Sequence, residues 1–431
     1  MQLHGTATIN ELGHLTVGGV DTTELAKAYG TPLMIYDEAL IREQCRRFHR
    51  VLEKSGLHYH VSYASKAFMC KAIVRIMQEE NMGLDVVSIG ELFNALSADF
   101  NPKNIHLHGN NKTIEELHFA LDKGIGCIVI DSFDEISRLN QLAMDMGKTP
   151  NCLLRVTPGV EAHTHEFIST GSTDSKFGLN IDNGQAFEGV KAILDASHLN
   201  LIGLHFHIGS QIFGTDGTRV AINKVFQFFD VLKNKLDFTA QVLNIGGGFG
   251  IRYTKDDLSY PIETALEEIV ESLKNAAQHY HLPIPQLWLE PGRSIVGEAG
   301  YTLYSIGTIK RIPNVRTYVS IDGGMSDHIR TALYGAKYEV ALANRMNDKL
   351  EEVVTFAGKC CESGDMIAYD IEVPTPQIND LAVVSCTGAY HYAMASNYNQ
   401  MLRPAVVLVK DGHHKLAIKR ETLEDIIKNQ L

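Results

Sequence analysis

No stretch of about 18 consecutive apolar residues occurs in the chain, so no membrane-spanning helix is expected. Basic residues are outnumbered: 39 Lys and Arg stand against 51 Asp and Glu, a formal net charge of −12. Nucleic-acid binding needs clustered cations, so this balance excludes nucleic acid as a main partner. The first residues, MQLHGTATINELGH, lack the basic-then-apolar order of a secretory signal, and the cytoplasm is the expected compartment. There is no CxxC pair. The seven cysteines (Cys45, Cys70, Cys127, Cys152, Cys360, Cys361 and Cys386) are odd in number and scattered, which indicates neither a zinc ribbon nor a disulfide framework. No internal repeat of about 20–50 residues is evident, which argues against a solenoid.

What is present is an ordinary globular composition, 45% apolar and 21% charged, in a chain of 431 residues. That length favours roughly two or three domains. Thr31 to Tyr36 reads as a strand and Ala39 to Leu52 as a helix with Ile41, Cys45, Phe48, Val51 and Leu52 near one face. Eight short apolar runs come next: 58–64, 83–88, 105–109, 127–131, 151–156, 201–208, 242–246 and 286–290. Segments with helical spacing separate them, for example Ile89 to Ser97, Thr113 to Lys123, Phe133 to Met146, Thr218 to Leu236 and Pro261 to Tyr280. Several open on cap signals, Thr113 with Glu116 and Ser132 with Asp134 and Glu135. Strands alternating with helices imply parallel pairing. Eight such units predict a (β/α)₈ TIM-type barrel, with an open doubly wound sheet as the runner-up.

Thr157 to Gly178 interrupts the rhythm and reads as a long polar loop over the strand ends. His163 and His165 within it lack a third metal ligand, so no metal is expected there. After Gly292 helical spacing fades and β-rich pieces take over: 301–312, 315–321, 352–359, 381–386 and 405–410. The predicted division is a barrel over 38–296 and a mainly β domain, sandwich- or barrel-like, over 297–431 together with 1–37.

In a barrel the chemistry gathers at the carboxyl ends of the strands. There the chain places Lys66, then Asp85 and Ser88, then HFHIGSQ (205–211), then Gly246, Gly247 and Gly248, then Glu290, Pro291, Gly292 and Arg293. A lysine at a strand end is a solvated terminus or a reactive amine. Three glycines form either a tight turn or a surface on which backbone N–H groups approach a phosphate. Ser210 and Arg293 offer a hydroxyl and a cation to the same anion. An amine, a phosphate cradle, a planar imidazole and a carboxylate on different strand ends together suit pyridoxal phosphate.

With these residues in view, the chain resembles the fold-type III pyridoxal-phosphate-dependent decarboxylases from about residue 31 to residue 410. The blocks are YASKAF (63–68), ISTGSTDSKFG (168–178), GLHFHIGSQ (203–211), NIGGGFG (244–250), EPGRSIVGEAG (290–300), DGGMSDHIRTALYGAKYE (322–339), GKCCESGD (358–365) and TGAYHYAMASNYN (387–399). The resemblance implies that Lys66 carries the cofactor, His207 stacks on its ring, Ser210, Gly246, Gly247, Gly248 and Gly292 belong to its binding site, and Glu290 pairs with the pyridinium nitrogen. It implies Cys361 as proton donor and Glu362 as the reader of a distal amino group. Arg293, Arg330 and Tyr334 would hold a distal carboxylate, and Tyr390 would touch cofactor and substrate. The racemases of the family carry arginine in place of Glu290, so Glu290 favours decarboxylation. Cys361 and Glu362 would cross into a neighbouring subunit's site, implying a homodimer with shared active sites. The family has asparagine where His328 stands and prolines where Ile329 and Thr331 stand.

The implied reaction is decarboxylation of meso-2,6-diaminopimelate to L-lysine and carbon dioxide, the last step of lysine biosynthesis. The rivals are a decarboxylase of another diamino acid or of carboxynorspermidine, an amino-acid racemase, and a non-catalytic decarboxylase relative. A zinc-dependent hydrolase needs three convergent ligands, and the sequence offers only pairs.

Overall fold

The computed structural model describes residues 1–160 and 175–431. The chain divides into two compact units, one of Cys45–Gly250 with Ser259–Gly292, the other of Met1–Gln44, Ile251–Leu258 and Arg293–Leu431.

The first unit is a closed parallel barrel of eight strands with helices between them. They are β1 (Tyr59–Ala64), β2 (Gly83–Val86), β3 (Ile105–Leu107), β4 (Cys127–Ile130), β5 (Asn151–Thr157), β6 (Asn200–His205), β7 (Val242–Asn244) and β8 (Gln286–Leu289). Each pairs in parallel with the next, and β8 returns to β1 through Leu287, Trp288 and Leu289 opposite Tyr59, His60 and Val61. All eight runs read from the sequence are strands. Their apolar residues are buried because the barrel interior and the helices cover both faces. At Gly203 on β6 a Cβ would lie 1.9 Å from the Val242 carbonyl oxygen, so only glycine fits beside β7.

Helix starts match the cap signals. The Thr113 side chain accepts from the Glu116 amide and the Glu116 side chain reaches back, a complete capping box for Ile114–Lys123. Ser132 does the same half of this work for Phe133–Asp145, and Ser88 for Ile89–Leu96. Such caps satisfy amides that otherwise lack partners, at about 1 kcal/mol each. Ser65–Ala67 is one 3₁₀ turn and the α-helix that follows is Lys71–Glu79.

The second unit is built on one long strand, Gly300–Ile312. Its first part pairs with Leu33–Asp37 and with Leu381–Ser385, and its last part with Arg316–Ile321, all antiparallel. Further strands Glu352–Ala357, Met366–Val373, Ala405–Lys410 and His413–Ile418 extend the sheet on its two sides. Two apolar clusters fill the unit. One is centred on Ile306, Val319, Phe356 and Val384, the other on Leu33, Ile35, Leu303 and Val407.

Candidate active site

β1 ends in the turn that carries Lys66. The Tyr63 hydroxyl donates to the Phe68 carbonyl at 2.7 Å and pins that turn. Ser65 and Ala67 are buried while Lys66 is exposed, so the amine stands at the mouth of the barrel. Burial, and after it the Lys66 cation, hold the His207 imidazole well below the ordinary histidine range. His207 is thus a neutral ring at this end of the barrel.

Glu290 lies just past β8 and is buried. His108 Nε2 lies 2.7 Å from Glu290 Oε1, and His205 Nε2 lies 3.2 Å from Oε2. The Asn244 amide donates to Oε1 at 2.6 Å. Burial alone pushes a carboxyl up, but the two imidazoles reverse that and hold Glu290 well below the carboxylate range. Burial pushes His205 down to about 4, so it is a neutral N–H donor. His108 lies above its ordinary value, since Asp85 and Glu290 outweigh the downward pull of burial. The Asp85 carboxylate is 3.8 Å from His108 Nε2.

The glycine run 246–248 lies between HFHIGSQ and the EPG turn. Gly246 and Gly248 have φ of +72° and +97°. A Cβ on Gly247 would sit 2.1 Å from the Glu290 carbonyl oxygen, and one on Gly248 would sit 2.4 Å from that of Gly209. Backbone crowds backbone there, and only glycine satisfies both the approach and the positive φ.

In the second unit a different constellation forms. Arg293 is buried and donates to the Tyr253 hydroxyl, with its guanidinium 4.8 Å from the centre of the Tyr390 ring. Arg330 is buried too. Its Nε donates to the Tyr338 hydroxyl at 2.8 Å, and its guanidinium faces Tyr334 at 5.0 Å and Tyr390 at 5.6 Å. Among the described residues Arg330 makes no ion pair. A buried guanidinium walled by tyrosines is set to receive an anion. His328, Thr331 and Tyr338 form one packed group beside it. The His328 ring is 4.6 Å from those of Tyr338 and His391, and its Nε2 meets Thr331 Oγ1 at 3.2 Å. Two of the residues that depart from the family pattern, His328 and Thr331, are therefore in contact with each other.

Cys361 and Glu362 are exposed, whereas Cys360 is buried with its amide donating to Asp365 at 2.7 Å. His163 and His165 lie outside the described residues, as does most of ISTGSTDSKFG.

A family model, described as the pyridoxal-dependent decarboxylase pyridoxal-binding domain, matches residues 38–297. The chain belongs to the pyridoxal-dependent decarboxylases. It is 52% identical to the diaminopimelate decarboxylase of Bacillus subtilis, over all of this chain and 98% of that one. The Bacillus methanolicus diaminopimelate decarboxylase is 50% identical over 98% of both chains. The crystal structure of the M. jannaschii diaminopimelate decarboxylase in co-complex with L-lysine superposes with a TM-score of 0.90 at 35% identity, over 99% of this chain and 98% of that one.

For a pyridoxal-dependent decarboxylase the barrel's donor set fits the cofactor. Glu290 is an ionised carboxylate with an acceptor position left on Oε2, suited to a pyridinium N–H. The fold also corrects one expectation. It brings three possible metal ligands together, His108, His205 and Glu290, with ligand atoms within 4.8 Å of one another, where the sequence offered only pairs. Glu290 already holds both imidazoles, His205 through a hydrogen bond and His108 through an ion-pair contact. A His108–Glu290 separation of 2.7 Å leaves no room for an ion between them. His108 and Asn244 were not singled out from the sequence. For His108 the signal available was the alternation in IHLHG, where His106 and His108 recur at every second position of a buried strand; for Asn244 it was only a lone polar residue in the apolar run VLNIG.

Proposed function

We propose that this chain decarboxylates meso-2,6-diaminopimelate at its D-centre, giving L-lysine and carbon dioxide, as the last step of lysine biosynthesis. The observation that carries the reading is that the chain holds both Glu290, kept as an anion, and Arg330, a buried cation that makes no ion pair among the described residues. The first suits a protonated pyridine ring, the second a substrate with a second carboxylate. Full-length identity to diaminopimelate decarboxylases supports both.

When bound, pyridoxal phosphate supplies the sink for the electron pair left as carbon dioxide departs. Lys66 supplies the amine that carries the cofactor. Ser210 and Gly246, Gly247 and Gly248 take its phosphate, with Gly292 beside them, and His207 presents a neutral flat ring. Glu290 holds the proton at the ring nitrogen. Arg293, Arg330 and Tyr334 fix the distal carboxylate, Glu362 reads the distal amine, and Tyr390 contacts cofactor and substrate. Fixing the L-end presents the D-centre for reaction. Cys361 Sγ returns a proton to the substrate carbon.

Cys361 and Glu362 are exposed in the single chain, which supports a homodimer in which they complete the partner's site. The acidic charge and the lack of a membrane-spanning helix among the described residues agree with a cytoplasmic enzyme.

The test separates substrate recognition from cofactor uptake. Arg330→Met should lower kcat/KM for meso-diaminopimelate by about 2–5 kcal/mol equivalent, the range for truncating one partner of a buried charge pair. It should leave uptake of pyridoxal phosphate, which needs no substrate carboxylate, little changed. An unchanged kcat/KM for meso-diaminopimelate would remove the two-carboxylate reading.

A further inference from the structure

Glu290 is the residue proposed to face the cofactor's ring nitrogen, and the roles inferred for its neighbours rest on that reading. An ionised carboxylate only accepts, and its two oxygens offer about four lone-pair positions. Asn244 Nδ2 donates to Oε1 at 2.6 Å, and His108 Nε2 lies against the same oxygen at 2.7 Å as an ion-pair contact. His205 Nε2 at 3.2 Å takes one on Oε2. One acceptor position, on Oε2, remains. Asn244 has a second task. Its Oδ1 accepts from the Gly246 amide at 2.9 Å, and the Glu290 amide donates to the Gly246 carbonyl at 2.8 Å. Two routes therefore join Glu290 to the first glycine of the 246–248 run.

His108 is itself fixed. Its amide donates to the Val86 carbonyl at 2.8 Å, and its ring stands edge-on to that of His205, 4.9 Å away. The charged and titratable groups around it are Asp85 on β2, Glu290 after β8, His205 on β6 and Arg155 on β5.

We propose that His108 and Asn244 are positioning residues for Glu290. His108 is the charged partner that anchors the carboxylate through Oε1, and Asn244 sets that carboxylate's register against the glycine cradle. The remaining acceptor on Oε2 is the one left for a ring N–H. Anchored to an imidazolium, Glu290 keeps its negative charge and accepts from the ring nitrogen without taking its proton. Without that charge burial dominates. Glu290 then gains a proton, and the ring nitrogen is left unprotonated.

The experiment reconstitutes full-length wild-type protein, His108→Gln and Asn244→Leu with pyridoxal phosphate carrying ¹⁵N in the ring, and records the ring-nitrogen resonance. The wild type should give the protonated-ring position. H108Q should bind the cofactor and move its signal to the unprotonated position, a change that a merely structural role would not produce. N244L should weaken cofactor affinity, by roughly 10–100-fold if it behaves as outer partners of binding residues do. An unchanged resonance in H108Q overturns the role of His108, and an unchanged affinity in N244L overturns that of Asn244. Failure of the wild type to take up the cofactor overturns instead the reading on which both rest. Should H108Q not fold, histidine-selective ¹⁵N labelling of the wild type carries the test. One imidazole must remain charged at an alkaline pH where free imidazole is neutral, and its absence overturns the proposal.

Discussion

Buried imidazoles make single residues of this chain strongly sensitive to pH. Burial pushes His205 down to about 4, and burial together with the Arg330 cation pushes His328 down to about 3. In the unfolded chain both titrate near 6.5. Between pH 6.5 and 4 the unfolded state therefore binds more protons than the folded state, and stability falls as pH falls. The slope is about 1.4 kcal/mol per pH unit for each such group. His108 acts in the opposite sense. Its folded value is raised, so its contribution is fully present below 6.5 and is lost as pH climbs through the folded value. Denaturant unfolding at pH 7.5, 6 and 5 should show the acid loss, and His328→Asn should flatten it by one group's share. A profile as steep in the variant as in the wild type would mean that His328 is not the neutral buried ring described. At this scale the sequence made legible the position of Lys66, His207 and Glu290 just past the barrel's strand ends. It was not legible for His108 and Asn244, because a short strand's polar residue declares its direction only once the barrel fixes which face is inside.

Elements are held by one charge pair that the alternation of strands and helices does not reveal. Lys112, just before the helix Ile114–Lys123, and Glu135, in the helix Phe133–Asp145, meet at 2.7 Å, each with a side chain only 1% exposed. Lys112 also donates to the carbonyls of Gly109 and Val129, and the Asp131 amide donates to Glu135 Oε2, while Glu135 Oε1 faces the ammonium as an ion pair. The ends of β3 and β4 and two helix starts are thereby joined. Lys112→Met leaves Glu135 buried without its cation and should cost about 3–5 kcal/mol. Lys112→Met with Glu135→Leu should recover most of that loss in thermal unfolding, and a double variant as unstable as the single one would contradict the account. Of the elements themselves, the eight barrel runs were readable because buried parallel strands are nearly continuous in apolar residues. Met366–Val373 was not, since Asp370 within it has φ +54° and its register against Glu352–Ala357 shifts twice, which breaks the alternation that marks a strand.

At the scale of the molecule, the residues named in the proposed function belong to two units. The barrel holds the amine, the glycine run and the ionised Glu290. The β-rich unit holds Arg293, Arg330 and the tyrosines that wall them. Their residues interleave along the chain, with Met1–Gln44 and Ile251–Leu258 joining Arg293–Leu431. Such interleaving is invisible to composition, because a segment as short as 251–258 carries too few residues to show a texture of its own. Under the proposed function, the end of the substrate which reacts is decided by the end which is held. The most direct measurement supplies meso-diaminopimelate carrying ¹³C in the carboxyl group of the D-centre and tracks the label through turnover. All of the label should leave as carbon dioxide, and the L-lysine formed should be unlabelled. Label retained in lysine, or shared between the two products, would contradict it.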